Sequence, residues 1–330
     1  MFYNDINCGT KLDDGLLKDN EIIAEINSLK KQNDVTILAH YYQSIEIQGI
    51  ADYVGDSLGL SKIAKEKTNS KYIIFAGVDF MAETASILNQ DKHVLLPNPE
   101  SCCPMAAYLT AEMVREYKRK YPGLPVVTYV NSTAEVKAES DVCCTSSNAV
   151  NVVKSIAKEF DVNSVLFGPD SNLADYVEQQ SNIKCIKMPE DGHCYVHSQI
   201  TVDDLKRSRE LIKDGLVLVH PECVREVREL ADFVGSTAHM YNRVKNSKIE
   251  EKKFIIGTED GLMKRMAEDF PDKQFYPIRE KLICYNMKKH TLELIKYVLE
   301  NLDDPMFEVK VPAEIAEKAI FPIVKMLEIS

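Results

Sequence analysis

Short apolar runs rich in β-branched residues alternate along this chain with segments of helical periodicity. Residues 35–43 (VTILAHYYQ) are apolar until they end in polar groups, and residues 71–77 (KYIIFAG) are apolar until they end in glycine. Residues 47–66 lie between these runs and have the pattern of a helix. Such alternation predicts βα units whose strands form parallel sheets.

The same order of segments occurs three times. The second copy has its apolar runs at residues 125–133 and 164–177, and the third has them at residues 215–224 and 253–266. A repeat of about 90 residues indicates a triplicated structural unit. We therefore predict an α/β fold with three α/β/α three-layer domains, related by a pseudo-threefold axis and built on parallel sheets.

The three copies define the predicted limits of the domains. Connections near residues 120–125 and 208–215 separate one copy from the next. A leading segment and a C-terminal segment lie outside the strict repeat, and we expect the C-terminal one to pack on the repeats. The predicted limits are 1–33 for the N-terminal segment, 34–121, 122–212 and 213–300 for the three domains, and 301–330 for the C-terminal segment.

Glycines, polar residues and cysteines keep their places in all three copies. The members of each set are 89 to 91 residues apart. In open α/β sheets, functional groups collect beyond the carboxyl ends of the strands, so three such ends around a common axis can form one pocket. The sets are Gly77, Gly168 and Gly257; His40, Asn131 and His220; Ser57, Ser146 and Thr237; and Cys103, Cys194 and Cys284.

The cysteines in register predict a metal centre. Nine cysteines are many for a chain of 330 residues, and in a reducing compartment metal-binding or catalytic thiols explain them better than disulfides. Structural zinc needs four protein ligands, usually in close sequence pairs, and this chain has no C-x-x-C. Three thiolates suit a [4Fe–4S] cluster with one open iron, which can act as a Lewis acid on a substrate oxygen.

Several other residues compete as ligands. His197 in CYVH is a candidate fourth ligand, although we favour a role in the substrate pocket because neither other copy has an equivalent. The register favours Cys103 over its neighbour Cys102, which we expect to be structural. Cys143 and Cys144 occupy the serine-turn position of the repeat, and we expect both to pack in the core.

Hydroxyl groups in register favour an anionic ligand. Ser57, Ser146 and Thr237 fall where helices are predicted to begin, and hydroxyls beside backbone N–H groups favour carboxylates or phosphates. Any one of them alone is better explained as a helix cap, but three in register favour an anion pocket. His40 and His220 add groups that titrate near neutral pH. The pattern indicates an enzyme that acts on small, oxygen-rich anions.

Composition argues against several other functions. The formal net charge of -11 opposes nucleic-acid binding, because phosphates require clustered lysine and arginine. No run approaches the roughly 18 apolar residues of a membrane span, and the first residues lack the apolar segment of a signal peptide. We therefore expect a cytoplasmic protein that binds neither nucleic acid nor membranes.

Ten short motifs resemble the quinolinate synthase family. They run from about residue 22 to about residue 302 in the family's order and with coherent spacing. The resemblance implies three pseudo-symmetric α/β/α domains around an oxygen-sensitive [4Fe–4S] cluster with three cysteine ligands. It also implies a reaction of NAD biosynthesis, in which iminoaspartate (iminosuccinate) condenses with dihydroxyacetone phosphate to give quinolinate, phosphate and water. The motifs are HYYQ, DYVGDSL, YVNSTAEVKA, CTSSNA, GPDSNLADYV, HCYVH, VHPEC, GSTAHM, IGTEDGL and CYNMKK.

The resemblance extends to individual residues. Its cluster ligands correspond to Cys103, Cys194 and Cys284, although many relatives have a single cysteine where this chain has two. The implied catalytic residues are Tyr42, His197, His220 and Glu222. The implied substrate-binding residues are His40, Ser57, Tyr129, Val130, Asn131, Ser146, His220, Pro221, Glu222 and Thr237.

Two other functions remain as alternatives at this point. An aconitase-like hydro-lyase also uses an open iron and dicarboxylate substrates. A non-enzymatic iron–sulfur or zinc redox sensor would explain the cysteines without a substrate. If the family resemblance holds, we also expect functional coupling to the enzyme that supplies iminoaspartate.

Overall fold

Residues 11–329 form three parallel β-sheets, one for each copy of the repeat. The computed structural model describes residues 11–329, with side chains from residue 20 onward. The first ten residues of the predicted N-terminal segment, and Ser330, lie outside the described residues.

Each copy has the same order of strands and helices. The first copy has β1 (Val35–His40), α2 (Ile45–Ile50), β2 (Tyr53–Gly55), α3 (Ser57–Glu66), β3 (Tyr72–Ala76), α4 (Asp79–Leu88), β4 (His93–Leu95) and α5 (Ala111–Lys120). The second has β5 (Val126–Tyr129), α6 (Ala134–Ala138), β6 (Val142–Cys144), α7 (Ala149–Glu159), β7 (Ser164–Gly168), α8 (Ser171–Ser181), β8 (Lys184–Lys187) and α9 (Val202–Leu211). The third has β9 (Leu216–Val219), α10 (Arg225–Leu230), β10 (Phe233–Val234), α11 (Thr237–Lys245), β11 (Lys253–Gly257), α12 (Asp260–Asp269), β12 (Gln274–Pro277) and α13 (Leu292–Glu300). Helix α1 (Lys11–Gln32) precedes the first copy, and α14 (Ala313–Glu328) follows the last.

The three sheets share one topology. Their strand orders are β2-β1-β3-β4, β6-β5-β7-β8 and β10-β9-β11-β12, and every pair of neighbouring strands is parallel. Strands β1, β3 and β5 are buried along their whole length, as expected when helices cover both faces of a sheet. The predicted fold class, α/β with three α/β/α domains, is confirmed.

Strand pairing corrects two parts of the predicted register. Gly168 pairs with Thr128 and Gly257 with Val219, but the equivalent Ala39 pairs with Ala76, so Gly77 lies one residue beyond the matching position. The pairs Leu38–Tyr53, Val127–Val142 and Leu218–Phe233 occupy the same place in the three sheets. The prediction that Asn131 matches the two strand-end histidines was wrong. Equivalent residues of the first strands are 89 residues apart between the first and second copies and 91 apart between the second and third, whereas the prediction assumed 91 and then 89. The structural sets are His40, Tyr129 and His220, followed two residues later by Tyr42, Asn131 and Glu222.

An aspartate directly before the second strand holds the first strand in every copy. Its carboxylate accepts a hydrogen bond from a backbone N–H of the first strand, and its own N–H donates to the carbonyl of that same residue. This pair of bonds satisfies backbone groups where the neighbouring strand has not yet begun. The carboxylate bonds are Ile37 N–H to Asp52, Val126 N–H to Asp141 and Val217 N–H to Asp232, all at 2.7 Å.

The last helix of each copy packs on the sheet of the next copy. Val114 of α5 lies in the core of the second sheet, and Leu205 of α9 lies in that of the third. Ile295 of α13 packs with β1 and β3 of the first sheet. The third copy therefore returns to the first, and the three sheets form a closed ring.

The predicted domain limits fall between secondary-structure elements. They lie in the connections before β1, β5 and β9 and at the end of α13, and we retain them as a proposal for how the chain is divided. In the predicted C-terminal segment, α14 packs against α4, α6 and β6, and its residue Ile323 is fully buried.

None of the described helices is long and apolar enough to cross a membrane. The longest, α1, has 22 residues and many charged positions. The next, α14, has 16 residues, fewer than the roughly 20 that a bilayer requires.

His290 attaches the end of the third copy to the first. Its ring is buried, and Nε2 lies 2.6 Å from the carbonyl oxygen of Gly77. Ser101 links the same two segments, with Oγ at 2.9 Å from the carbonyl of Gly77 and 2.6 Å from that of Asn286. Burial lowers the pKa of His290 to about 4, although the bond to Gly77 opposes the shift. The ring is therefore neutral at pH 7.

We expect Asp141→Ala to lower the free energy of unfolding by about 1–3 kcal/mol, because it leaves the buried N–H of Val126 without its partner. Urea denaturation followed by circular dichroism measures the change. Asp141→Asn keeps a carbonyl acceptor and should lose less. Glu116→Ala, at an exposed carboxylate on α5, is the control, and an equal midpoint for Asp141→Ala would contradict the role of this bond.

We expect the protein to lose stability between pH 7 and pH 5, and His290→Gln to reduce that loss by about 2 kcal/mol. The unfolded histidine binds a proton below about pH 6.5, whereas the folded one stays neutral until about pH 4, so acid favours the unfolded chain. Glutamine retains an N–H donor for Gly77. Anaerobic urea titrations at the two pH values provide the test, and an unchanged difference would show that His290 is not neutral in the fold.

Candidate active site

The carboxyl ends of the three sheets meet at one cavity. All predicted site residues line this cavity except Val130 and Pro221. These two are buried and are sequence neighbours of residues that do line it. The predicted residues that line the cavity are His40, Tyr42, Ser57, Cys103, Tyr129, Asn131, Ser146, Cys194, His197, His220, Glu222, Thr237 and Cys284. Every copy of the repeat contributes to this lining.

Two strand-end histidines are oriented by the same local hydrogen bond. Nδ1 of His40 accepts from the N–H of Tyr42 at 3.1 Å, and Nδ1 of His220 accepts from the N–H of Glu222 at 3.3 Å. Burial lowers the pKa of both rings to about 3, although Glu222 opposes the shift in each. A neutral ring that accepts at Nδ1 carries its proton on Nε2. Each histidine is therefore a neutral hydrogen-bond donor at neutral pH.

Glu222 is a buried carboxylate in contact with a phenol and an imidazole. Tyr129 Oη donates to its Oε1 at 2.6 Å, and His197 Nδ1 lies 2.7 Å from its Oε2. The second contact is a close approach of the two side chains without hydrogen-bond geometry.

Glu222 is ionised at neutral pH. Burial alone would raise its pKa, but His220 and His197, together with the hydrogen bond from Tyr129, outweigh burial and lower it. Since His220 is itself neutral at pH 7, the contacts with Tyr129 and His197 are what stabilise the carboxylate there.

Thr258, which sequence reasoning missed, joins residues of the cavity wall into a polar chain, although it is buried and does not itself line the cavity. Its Oγ1 lies 2.7 Å from Tyr42 Oη and 2.9 Å from His197 Nε2. The chain thus runs from Tyr42 through Thr258 and His197 to Glu222. Burial, and then Glu222, raise the pKa of Tyr42 well above its usual value, so the phenol keeps its proton. The available signal was the position of Thr258 directly after Gly257, one of the glycines in register.

Ser57 and Thr237 are not helix caps. They are the first residues of α3 and α11, and the capping side chains are those of Asp56 and Ser236. Ser146 lies in the turn before α7. The three predicted hydroxyls therefore line the cavity beside helix N-termini, where backbone N–H groups favour anions.

Ser147 joins the three copies where these helices begin. Its hydroxyl donates to Asp56 Oδ2 at 2.5 Å and lies 2.8 Å from Ser236 Oγ, whose hydroxyl can donate in return. The contact holds the N-terminal ends of α3, α7 and α11 at fixed positions relative to one another.

The cysteines of the predicted metal centre lie on loops after β4, β8 and β12. All three are free thiols. In the first and third copies, the loop is held by a carboxylate near the start of the preceding helix, which accepts a hydrogen bond from the cysteine's backbone N–H. The bonds are Cys103 N–H to Asp79 Oδ1 at 3.1 Å and Cys284 N–H to Glu259 Oε1 at 3.3 Å. Asp170, at the start of α8, holds the equivalent place in the second copy.

This donor set fits a metal cluster. Burial raises the pKa of all three thiols. Cys284 raises that of Cys103 further, and Cys103 raises that of Cys194, because neighbouring thiolates without a cation repel each other. A bound metal instead stabilises the thiolates, and it is the usual partner of converging soft thiolates.

A second, mononuclear grouping of ligands also exists. Ligand atoms of Cys194, His197 and Glu222 lie within 4.8 Å of one another. Both ring nitrogens of His197, however, already contact Glu222 and Thr258. These contacts favour a pocket role for His197 over metal ligation.

The remaining predicted thiols lie away from the cavity. Cys102 is exposed and does not line it. Cys143 and Cys144 belong to β6 and are fully buried in the apolar core. The prediction that these two cysteines are packing residues is confirmed.

The chain is similar over nearly its whole length to enzymes of one family. The family model "Quinolinate synthetase A protein" matches residues 24–328. Quinolinate synthase of Pyrococcus abyssi is 47% identical over 310 residues, which cover 94% of this chain and 100% of the relative. Quinolinate synthase of Thermotoga maritima is 48% identical over 312 residues (93% and 99%), and that of Clostridium kluyveri is 49% identical over 308 residues (93% and 98%).

Similarity of this extent fixes the class of protein. It agrees with the converging cysteines in implying a metal cofactor. It also excludes a purely sensory, non-enzymatic protein. This chain is an enzyme of NAD biosynthesis and belongs to the quinolinate synthase family.

Proposed function

We propose that the cavity binds iminoaspartate and dihydroxyacetone phosphate and joins them into quinolinate, with release of one phosphate and two water molecules. The observation that carries this proposal is that cysteines from all three copies line the same cavity as the polar chain ending at Glu222. The family similarity supports the same reaction. An aconitase-like hydro-lyase would need no dihydroxyacetone phosphate.

The proposed cofactor is a [4Fe–4S] cluster held by Cys103, Cys194 and Cys284. Three protein donors leave one iron without a protein ligand, and such an iron supplies a Lewis acid for a substrate oxygen when the cluster is bound. The proposed location of the enzyme is the cytoplasm, where the thiols stay reduced.

Neutral donors and hydroxyls would hold the anionic ends of the substrates. Ser57, Ser146 and Thr237 would bind phosphate or carboxylate oxygens beside the helix N-termini. His40 and His220 would donate from Nε2 without adding charge. The buried Oδ1 of Asn131 has no hydrogen-bond partner within residues 20–329, which supports a substrate contact for this amide as well.

Glu222 and the phenols would move the protons that condensation and ring closure require. The ionised Glu222 accepts a proton from a substrate carbon or nitrogen. Tyr42 and Tyr129 keep their protons because burial, and then Glu222, raise their pKa, so each can donate. Tyr129, which is hydrogen-bonded to Oε1 at 2.6 Å, is the phenol that can exchange a proton with Glu222 directly. Because the imine is unstable, we also propose functional coupling to the enzyme that supplies it.

We expect anaerobically purified protein to contain about four iron and four sulfide per chain, and Cys→Ala at 103, 194 or 284 to remove most of both. Iron and sulfide quantification with visible absorption measures the loss. Cys102→Ala is the matched control and should keep its cluster.

One result would favour the mononuclear alternative. Metal retained in Cys103→Ala but lost in His197→Ala would assign the site to Cys194, His197 and Glu222. A full cluster in all three cysteine variants would contradict the proposed ligand set.

We expect Glu222→Gln to lower kcat by at least about 100-fold while cluster content stays at the wild-type level. Glutamine preserves the size of the side chain but cannot accept a proton at neutral pH. Quinolinate formation from iminoaspartate and dihydroxyacetone phosphate is the assay. Glu226→Gln, at an exposed carboxylate on α10, is the control, and equal activity of the two variants would remove Glu222 from the mechanism.

A further inference from the structure

The short helix after the first strand of each copy carries a buried hydrogen-bond donor at its fourth position. The residues differ in type, but they lie 89 and 91 residues apart, which is the structural register of the first strands. A polar group in the interior requires partners. The donors and their exposed fractions are Gln48 (2%), Lys137 (0%) and Arg228 (5%).

Each donor bonds to the carbonyl five residues before it. That carbonyl belongs in every case to the residue directly after a proposed site residue, namely Tyr42, Asn131 or Glu222. The donor thus restrains the loop that carries the site residue. The bonds are Gln48 Nε2 to Gln43 O at 3.0 Å, Lys137 Nζ to Ser132 O at 2.6 Å and Arg228 Nε to Cys223 O at 3.0 Å.

Each donor also reaches a helix of another copy. The three target helices, α12, α4 and α8, hold equivalent places in their own copies, so the contacts run in one direction around the ring. The contacts are Gln48 Nε2 to Gly261 O at 3.5 Å, Lys137 Nζ to Phe80 O at 3.5 Å, and Arg228 Nη2 to Asp175 Oδ2 at 2.5 Å with Nη1 to Gln179 Oε1 at 3.2 Å.

A glycine permits the approach of α12 to the loop of the first copy. A Cβ on Gly261 would lie 2.6 Å from the carbonyl oxygen of Tyr41 and 2.9 Å from that of Gln43. Both obstacles are backbone atoms of the loop that carries Tyr42, and these atoms cannot rotate away. Any side chain at residue 261 would therefore push this loop from α12.

We propose that Gln48, Lys137 and Arg228 are positioning residues that place Tyr42, Asn131 and Glu222 in the cavity by coupling each loop to the neighbouring domain. The inference rests on the proposed function of the cavity. Its consequence is that the three site residues reach their working positions only while the ring is closed. Separation of any two domains removes one restraint on a site residue, even where no substrate contact is lost.

Arg228 offers the sharpest test because its neighbour provides a matched control. Arg225 also bonds to Asp175 across the domain contact, but its side chain is 48% exposed and it does not bond to Cys223. We expect Arg228→Met to lower kcat roughly 10- to 100-fold, with KM and iron content near wild type, because small displacements of a catalytic group have effects of this size. Arg225→Ala should stay within about twofold.

Two further variants separate positioning from stability. Arg228→Lys should restore most of kcat, because Lys137 makes the same carbonyl bond in the second copy. Gly261→Ala removes no polar group and should lower kcat while iron content persists. Gly49→Ala, at a glycine of α2 with open space around it, is its control.

The outcomes are distinguishable. Equal kcat per cluster for Arg228→Met and Arg225→Ala, or for Gly261→Ala and Gly49→Ala, would overturn the inference while the wild-type reaction stands. The inference would also be overturned if kcat fell only in proportion to the iron lost, because these residues would then affect stability alone. If the wild-type enzyme forms no quinolinate from the two substrates, the proposed function fails and the inference with it.

Discussion

The hydroxyl of Ser147, held between Asp56 and Ser236, is the contact on which the geometry of the site depends. It joins the three copies where α3, α7 and α11 begin, directly beside the hydroxyls that line the cavity. A single copy contributes one cysteine loop and the polar end of its first strand to the cavity, and neither forms a binding site alone. Closure of the ring, completed when α13 returns to the first sheet, turns three partial sites into one.

Burial then determines the charges inside the ring. Histidines that would titrate near neutral pH become neutral donors, while Glu222 keeps its charge because Tyr129 and His197 contact it. For the cysteines, burial and mutual repulsion favour the protonated thiols over the thiolates until a metal is present. The cavity therefore contains few fixed positive charges of its own, which leaves anion binding to hydroxyls, helix N-termini and the cofactor.

The spacing of residues along the chain predicted the tripled α/β fold and the meeting of Cys103, Cys194 and Cys284, because both depend only on a period. It did not predict Thr258 or the donors Gln48, Lys137 and Arg228. Their roles come from contacts between copies, and the three donors differ in side-chain type. The misplacement of Asn131 has a similar cause. The segment between the second and third strands differs in length among the copies by one to three residues, so spacings read from the third strands do not apply to the first strands, and only strand pairing shows where the shift occurs.

The ring is symmetric in its backbone and asymmetric in its side chains, and the proposed reaction needs both properties. Equivalent strand ends carry His40, Tyr129 and His220, and the positions two residues later carry a phenol, an amide and a carboxylate. Only one of these six groups is an acid that is ionised in the cavity. The two unlike substrates proposed above cannot both be matched by three identical walls. Triplication therefore supplies converging loops, and the divergence of the side chains at these positions distinguishes the proposed direction of proton transfer, from substrate to Glu222, from the others.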